Sequence, residues 1–374
     1  MCGSLFDDGG TSDKILATLR RHKIQASISR RELDIEGNKV EYRLIRFNDS
    51  GIESTIVSFG DDKNSKRRDG ISASSGNIFL RSLLDEFKTR HFDIYLTYGG
   101  YWVAHYAAQL ARRFCSTNVF YLCNLAYNRD KIFDEIDAII VPSEFSRKVY
   151  YERLGINSIV LPPLIDRAQT ILSEDEKTRR FLTFVNPSLE KGSYFFAGIA
   201  RDLNLLRPDI PILIVEGRST INVFGSMENA NSLTNLNVMQ NVMRPKLFYR
   251  ETRILVVPSL CEESFGRVAV EGSFNGLPVL CSNRGALPEA VGITELTLDI
   301  PSRFTPKSKE TPTSIETAPW VNLIQRLWDD AELASQFGAM LKEKSKRYLP
   351  EVVAKQTVQV FQKLATFKDT RSFL

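Results

Sequence analysis

The sequence predicts an α/β protein made of two doubly wound, Rossmann-like domains, and three observations carry that reading. At 374 residues and about 150 residues per domain, the chain has room for two domains, each able to bury a core without metals or disulfides. Short β-rich apolar runs alternate with helical patterns, which is how βαβ units build an open parallel sheet. Apolar residues make up 43% and charged residues 25%, ordinary globular usage that excludes wholesale disorder.

Taken in order, Asp13 to His22 reads as a helix, and Phe92 to Thr97 as a strand running into Tyr98-Gly99-Gly100. Val103 to Arg113 is helical, Asn118 to Leu122 and Asp137 to Pro142 are strands, and Ser143 to Leu154 is a helix. Ser143 is its N-cap, because a hydroxyl can accept from the unpaired first-turn amides. Leu161-Pro162-Pro163-Leu164-Ile165-Asp166 then makes a stiff extended connector, which puts the domain boundary near residue 166. Beyond it, Arg180 to Asn186 is a strand, Gly192 to Leu205 a helix and Ile210 to Glu216 a strand. Ile254 to Pro258 is apolar throughout and short, as a strand buried on both faces must be. Gly266 to Asn275 follows as a helix ended by Gly276, and Pro278 to Ser282 as the next strand.

A net charge of +4 is too weak for a dedicated nucleic-acid binder. Five cysteines without a CxxC pair suit a reduced compartment. With Asp7 and Asp8 and no apolar h-region near the start, a secretory signal is not expected and the cytoplasm is. Ile94 to Ala111 lacks charge but holds Thr97, Gly99, Gly100, His105 and Gln109, which makes it strand, turn and helix rather than a membrane span. The loop from Gly60 to Gly70 mixes Lys63, Lys66, Arg67 and Arg68 with Asp61, Asp62 and Asp69. It reads first as a solvated loop. The lesser reading is a lipid-headgroup patch giving weak peripheral contact at the inner face of a membrane.

The chemistry concentrates between Pro258 and Gly292, which reads as strand, loop, helix, strand and loop. In a parallel α/β sheet, ligands bind outside the carboxyl ends of the strands. Glu263 lies in such a loop, and Phe265-Gly266 lead into a helix whose first amides lack intrahelical partners. That helix start suits a phosphate, and Gly266 permits close backbone approach. Glu271, about one turn inside, would repel a diphosphate but can accept from both hydroxyls of a ribose. Taken singly, each carboxylate is a solvated acid at a helix start. Together they outline a nucleotide-sugar site.

The run Glu263-Ser264-Phe265-Gly266-Arg267-Val268-Ala269-Val270-Glu271 resembles the signature of family-4 retaining glycosyltransferases of the GT-B fold (glycosyl transferases group 1). Asn275-Gly276-Leu277-Pro278-Val279 and Gly285-Ala286-Leu287-Pro288-Glu289 are similar to that family's downstream pattern. The stretches from Phe184 to Gly192, Asp137 to Ser143 and Pro162 to Asp166 resemble its donor-domain opening, its last acceptor-domain strand and its interdomain crossing. The resemblance implies two Rossmann-like domains facing a central cleft: residues 1–166 on the acceptor side, 167–351 binding the donor, and a crossover helix at about 352–374 returning to the first. It also implies a nucleotide-diphosphate sugar donor and a glycan, lipid or other hydroxyl acceptor, with surface polysaccharide or glycolipid assembly as the setting.

By the same resemblance, Lys191 is the cation that neutralises the leaving diphosphate, and Glu263 the carboxylate at the reacting centre. Phe265 and Gly266 supply amides to the donor, Arg267 and Asn186 line its site, and Glu271 holds the ribose. Gly9 and Gly10 would face the donor phosphates, and Tyr98 and Gly99 the acceptor. Read without the family, Lys191 is a solvated lysine after a turn, Gly9-Gly10 a surface turn, and Tyr98-Gly99-Gly100 a tight strand-to-helix turn. The family needs no bound metal. The chain's three histidines form no HExxH, and no cysteine spacing suits zinc, so no metal or other cofactor is expected.

Two positions depart from the pattern. Asn186 stands where many relatives carry arginine, and Cys123 where they carry a histidine; the simplest role for Cys123 is core packing. These losses support a rival reading, a GT-B protein that binds a nucleotide or glycan without transfer. The retained Lys191, Glu263 and Glu271 favour the enzyme. A dinucleotide oxidoreductase, an NTPase and an α/β-hydrolase are disfavoured by the lack of G-x-G-x-x-G, P-loop and G-x-S-x-G motifs.

Overall fold

Strands of a parallel sheet covered by helices on both faces must be apolar along their whole length, and Ile212–Val215 and Val279–Ser282 are buried at every position. In the computed structural model, which describes residues 12–35, 37–59, 73–114, 117–221 and 233–366, the chain gathers into two units. One comprises the described residues within Met1–Tyr121, Arg129–Ala138 and Leu364–Leu374; the other is formed by Leu122–Asn128 and Ile139–Lys363. This division falls upstream of the proline connector, and Ile165 from that connector belongs to the core of the second unit.

The first unit opens with α1 (Ser12–Arg21), β1 (Ala26–Ile35), β2 (Asn38–Asp49) and β3 (Ile52–Phe59). The three strands form an antiparallel meander, with Ser29 opposite Leu44 and Leu44 opposite Val57. Ser50 and Gly51 both take positive φ, as a two-residue type I′ hairpin turn requires, and Gly51 N donates to Asn48 Oδ1 at 3.0 Å. None of these strands is anticipated by the sequence reading. β1 carries Arg30, Arg31, Glu32 and Asp34 around few partly buried positions, so its apolar alternation is faint. The small core beneath the meander joins Tyr42, Leu44, Val57 and Ile78. Helix α2 (Ala73–Thr89), β4 (Ile94–Thr97), α3 (Trp102–Arg113) and β5 (Thr117–Tyr121) follow, and β4 pairs β5 in parallel. Leu83 and Phe87 of α2 pack on Ala107 and Ala111 of α3.

β6 (Ala138–Val141), α4 (Glu144–Leu154) and β7 (Ile159–Val160) lead into the second unit. Ser143 caps α4, accepting from Ser146 N. After the short helix α5 (Arg167–Thr170) come β8 (Phe181–Val185), α6 (Ser193–Leu206), β9 (Ile212–Val215), β10 (Leu236–Met239), α7 (Lys246–Glu251), β11 (Thr252–Val257), α8 (Arg267–Phe274), β12 (Val279–Ser282), α9 (Leu287–Val291) and β13 (Thr297–Leu298). The six strands from β8 to β13 form one parallel sheet in the order β10-β9-β8-β11-β12-β13. Counted within the unit this is 3-2-1-4-5-6, the doubly wound dinucleotide-fold order. Phe184 stacks on Phe196 with centroids 4.5 Å apart, and Trp320 of α10 (Ser314–Asp329) is wholly buried against Phe195. α11 (Ala331–Ser345) and α12 (Pro350–Thr366) close the chain. The end of α12 joins the first unit, where Thr117 Oγ1 donates to Leu364 O at 3.2 Å. Among the described residues, no helix is long and apolar enough to cross a membrane.

Candidate functional site at the switch point of the six-stranded sheet

The strand order reverses between β8 and β11, and in doubly wound sheets that point opens the ligand crevice. The loops after these two strands are joined closely. Leu260 N and Cys261 N both donate to Glu190 O, at 2.9 and 3.1 Å. Gly192, at φ +80°, lies so near the β11 loop that a Cβ would stand 2.0 Å from Pro258 O. Lys191 Nζ thereby comes within 2.5 Å of Glu263 Oε1, and Ser259 Oγ donates to the same oxygen at 2.6 Å. The pair is partly buried, with side chains 30% and 15% exposed, so it is less screened than a surface ion pair. From the other side Gly285 bridges Glu263, and Ala286 N donates to Glu263 O at 2.7 Å.

Gly266, at φ +83°, turns the loop into α8, with Leu287 packed where a side chain would go. The first amides of α8 have no intrahelical partner. Glu271 is 3% exposed; its Oε1 accepts from Arg267 Nε at 2.6 Å and its Oε2 from Tyr249 OH at 2.9 Å. Burial first, and then the Glu271 carboxylate, push the Tyr249 hydroxyl well above its ordinary pKa. It therefore stays a neutral donor. Cys261, beside the ion pair, is pushed up to about 11, mainly by burial and next by Glu263, which leaves it an unreactive thiol.

Of the residues singled out in the sequence, the structure brings Lys191 and Glu263 into contact and sets Phe265, Gly266, Arg267 and Glu271 along the loop and helix that follow. Phe265 is itself 6% exposed, its ring edge-on to Tyr348 with centroids 5.2 Å apart. Asn186 ends β8 at φ +58°, a conformation Asn tolerates better than most residues, and its Oδ1 accepts from Ser219 N at 3.2 Å. Tyr98 is 78% exposed and Gly99 has φ +94°; both lie in the first unit. Gly9, Gly10 and the Gly60–Gly70 loop fall outside the described residues. Cys123 is a correction: it is exposed, not a core residue, because β5 stops at Tyr121 and the chain has left the sheet. Ser259, Tyr249 and Gly285, which hold the two glutamates, were not read as site residues. Their bonds to Glu263 and Glu271 come from the fold and leave no spacing signal. Among the described residues, no group of three His, Cys, Asp or Glu could hold a metal ion.

A parallel sheet in dinucleotide-fold order, with a cation, two carboxylates and a glycine-started helix at its switch point, defines a nucleotide-type α/β domain. Comparison with known families agrees with this: residues 168–301 match the model of the glycosyl transferases group 1. The lipopolysaccharide 1,2-N-acetylglucosaminetransferase of Salmonella typhimurium is 27% identical over 181 residues, 42% of this chain and 47% of that protein. The chain spans less than half the length of the curated relatives it matches. Among solved structures, sucrose-phosphate synthase from Thermosynechococcus elongatus aligns with a TM-score of 0.61 at 19% identity over 78% of each chain. Anabaena HepE in complex with UDP-glucose aligns at 0.60 and 14%, over 77% of this chain and 82% of that one. The fold is thus GT-B, as the motif run implied.

Proposed function

We propose that this chain is a retaining glycosyltransferase that moves a sugar from a nucleotide-diphosphate sugar to a hydroxyl acceptor without a bound metal. The observation that carries the reading is the Lys191–Glu263 contact at the switch point, at the mouth of α8. Lys191 offsets the negative charge that gathers on the diphosphate as it leaves. Both donors on Glu263 engage Oε1, and on this reading Oε2 meets the donor sugar. Phe265 and Gly266 offer amides, Arg267 adds a cation beside them, and Asn186 shapes the adjoining turn. Each Glu271 oxygen keeps a second lone pair beyond its protein bond, and these accept from the ribose. The bond from anomeric carbon to phosphate oxygen breaks, the acceptor oxygen bonds to the same face of that carbon, and the leaving phosphate takes the acceptor's proton.

Because HepE shares the fold and is seen with UDP-glucose, a UDP-sugar is the first donor to test. Because the Salmonella relative acts on lipopolysaccharide, a glycan or glycolipid is the first acceptor, with Tyr98 and Gly99 as its candidate contacts. On this reading the protein works in the cytoplasm, peripheral to the inner membrane face.

The test combines melting shifts with UDP, GDP, ADP and their sugar conjugates and an assay of nucleoside diphosphate release. A ligand bound only by the folded state raises the melting temperature by mass action. A shift and release with one base, lost in Lys191→Ala, is the expected result. A shift with no release under any acceptor moves the assignment to the non-transferring binder that the Asn186 departure suggests. No shift at millimolar nucleotide overturns both.

A further inference from the structure

The peptide between Ser264 and Phe265 is held from an unexpected direction. Its carbonyl oxygen accepts from two hydroxyls at the start of α4: Ser143 Oγ at 2.6 Å and Ser146 Oγ at 3.0 Å. Both serines are buried, at 2% and 0% exposure, and together they fill the oxygen's two lone pairs. The clamp is reinforced around it. Ser264 Oγ donates to Cys123 O at 2.6 Å, and the Glu289 carboxylate accepts from Glu144 N and Phe145 N at 3.1 and 3.0 Å.

A trans peptide is planar, with C=O and N–H pointing to opposite sides. Two hydroxyls on the Ser264 oxygen therefore also aim the Phe265 N–H, away from α4. The neighbouring Ala286 N–Glu263 O bond and the Phe265–Tyr348 ring contact keep that peptide from turning over. The Phe265 N–H has no acceptor among the described residues, which is uncommon for a backbone donor in a residue only 6% exposed. We infer that Ser143 and Ser146 are positioning residues: they orient the Phe265 amide as a hydrogen-bond donor to the nucleotide-sugar, between the Lys191–Glu263 pair and the start of α8. The inference rests on the donor-binding reading above and adds to it two residues in a different part of the sequence.

Ser146→Ala removes one hydroxyl and leaves the Ser143 cap intact, since Ser146 N remains. Its dissociation constant for the active UDP-sugar should rise roughly three- to tenfold, the worth of one lost hydrogen bond. Ser345→Ala, which removes another buried hydroxyl bonded to a backbone carbonyl, should lower the melting temperature comparably with donor affinity unchanged. In the wild-type protein, amide exchange at Phe265 should slow when the UDP-sugar is added, a readout that needs no variant to fold. Ser146→Ala binding within about twofold of wild type, or Phe265 exchange indifferent to a donor that does bind, overturns the inference and leaves the transferase reading standing. A wild type that binds no nucleotide-sugar overturns both.

Discussion

Gly285→Ala tests whether the placement of Glu263 matters as the structure implies. At Gly285, φ is +62°, and an added Cβ would stand 2.3 Å from Glu263 N and 2.4 Å from Glu263 O. Ordinary contact begins near 3.4 Å, so the Glu263 backbone must retreat by about 1 Å, and a misplacement of that size at a reacting centre costs about a hundredfold in rate. That is about 2.7 kcal/mol of transition-state stabilisation. Gly155 supplies the comparison: its φ is +66°, yet nothing lies within 4 Å of its added Cβ. Both alanines bear the left-handed backbone cost of roughly 1–2 kcal/mol, so only Gly285→Ala carries the displacement. Steady-state release of nucleoside diphosphate from the active sugar donor, with a urea denaturation on each variant, separates the two costs. Gly155→Ala should lose stability and keep kcat; Gly285→Ala should lose both. If Gly285→Ala turns over within about threefold of Gly155→Ala, the site does not depend on the bridge at Glu263 and the reasoning fails.

Lys191→Ala should lower kcat/KM by about two to three orders of magnitude, read in the same release assay; a loss under tenfold would mean the diphosphate finds its cation elsewhere. Tyr249→Phe strips the hydroxyl from a buried carboxylate and should cost about 1.5–3 kcal/mol in urea denaturation, with an unmoved midpoint as the contrary result. The Arg303 guanidinium, bonded to Glu316, holds that carboxyl down to about 2 from an ordinary 4.5. Because the folded-state pKa is depressed, the stabilisation is present above pH 4.5 and lost as pH falls toward 2. The gap in melting temperature between wild type and Glu316→Gln should therefore be widest above about pH 5 and close in acid; a gap independent of pH would refute it.

The six-stranded sheet was legible because its chemistry is monotonous. Ile254, Leu255, Val256 and Val257 admit no half-exposed alternative, and the observed β11 starts two residues earlier than read, at Thr252. Lys191 and Glu263 were legible from the motif run, but their contact across 72 residues of chain was not. Asn186 shows what a pattern comparison misses. Besides standing where relatives carry a cation, it holds a left-handed turn and the Ser219 amide, a conformational role with no charge to detect. The meander escaped for a different reason. One face of β1 is polar and exposed, the other meets only a small core, and the charged residues outnumber the apolar ones that would reveal a strand.

The loop carrying Glu263 is fastened across long stretches of chain: 121 residues to Ser143 through Ser264, and 145 between Glu144 and Glu289. Closing a loop of that length costs on the order of 4 kcal/mol of chain entropy before its bonds can repay any of it. Such contacts form late, after the local βαβ units have condensed. During synthesis a chain that has reached Glu263 holds that carboxylate and its Lys191 and Ser259 partners but not the rest of its mounting, since Gly285 and Glu289 have yet to follow. Loosening the clamp should then show chiefly as faster unfolding, with little change in the rate of folding.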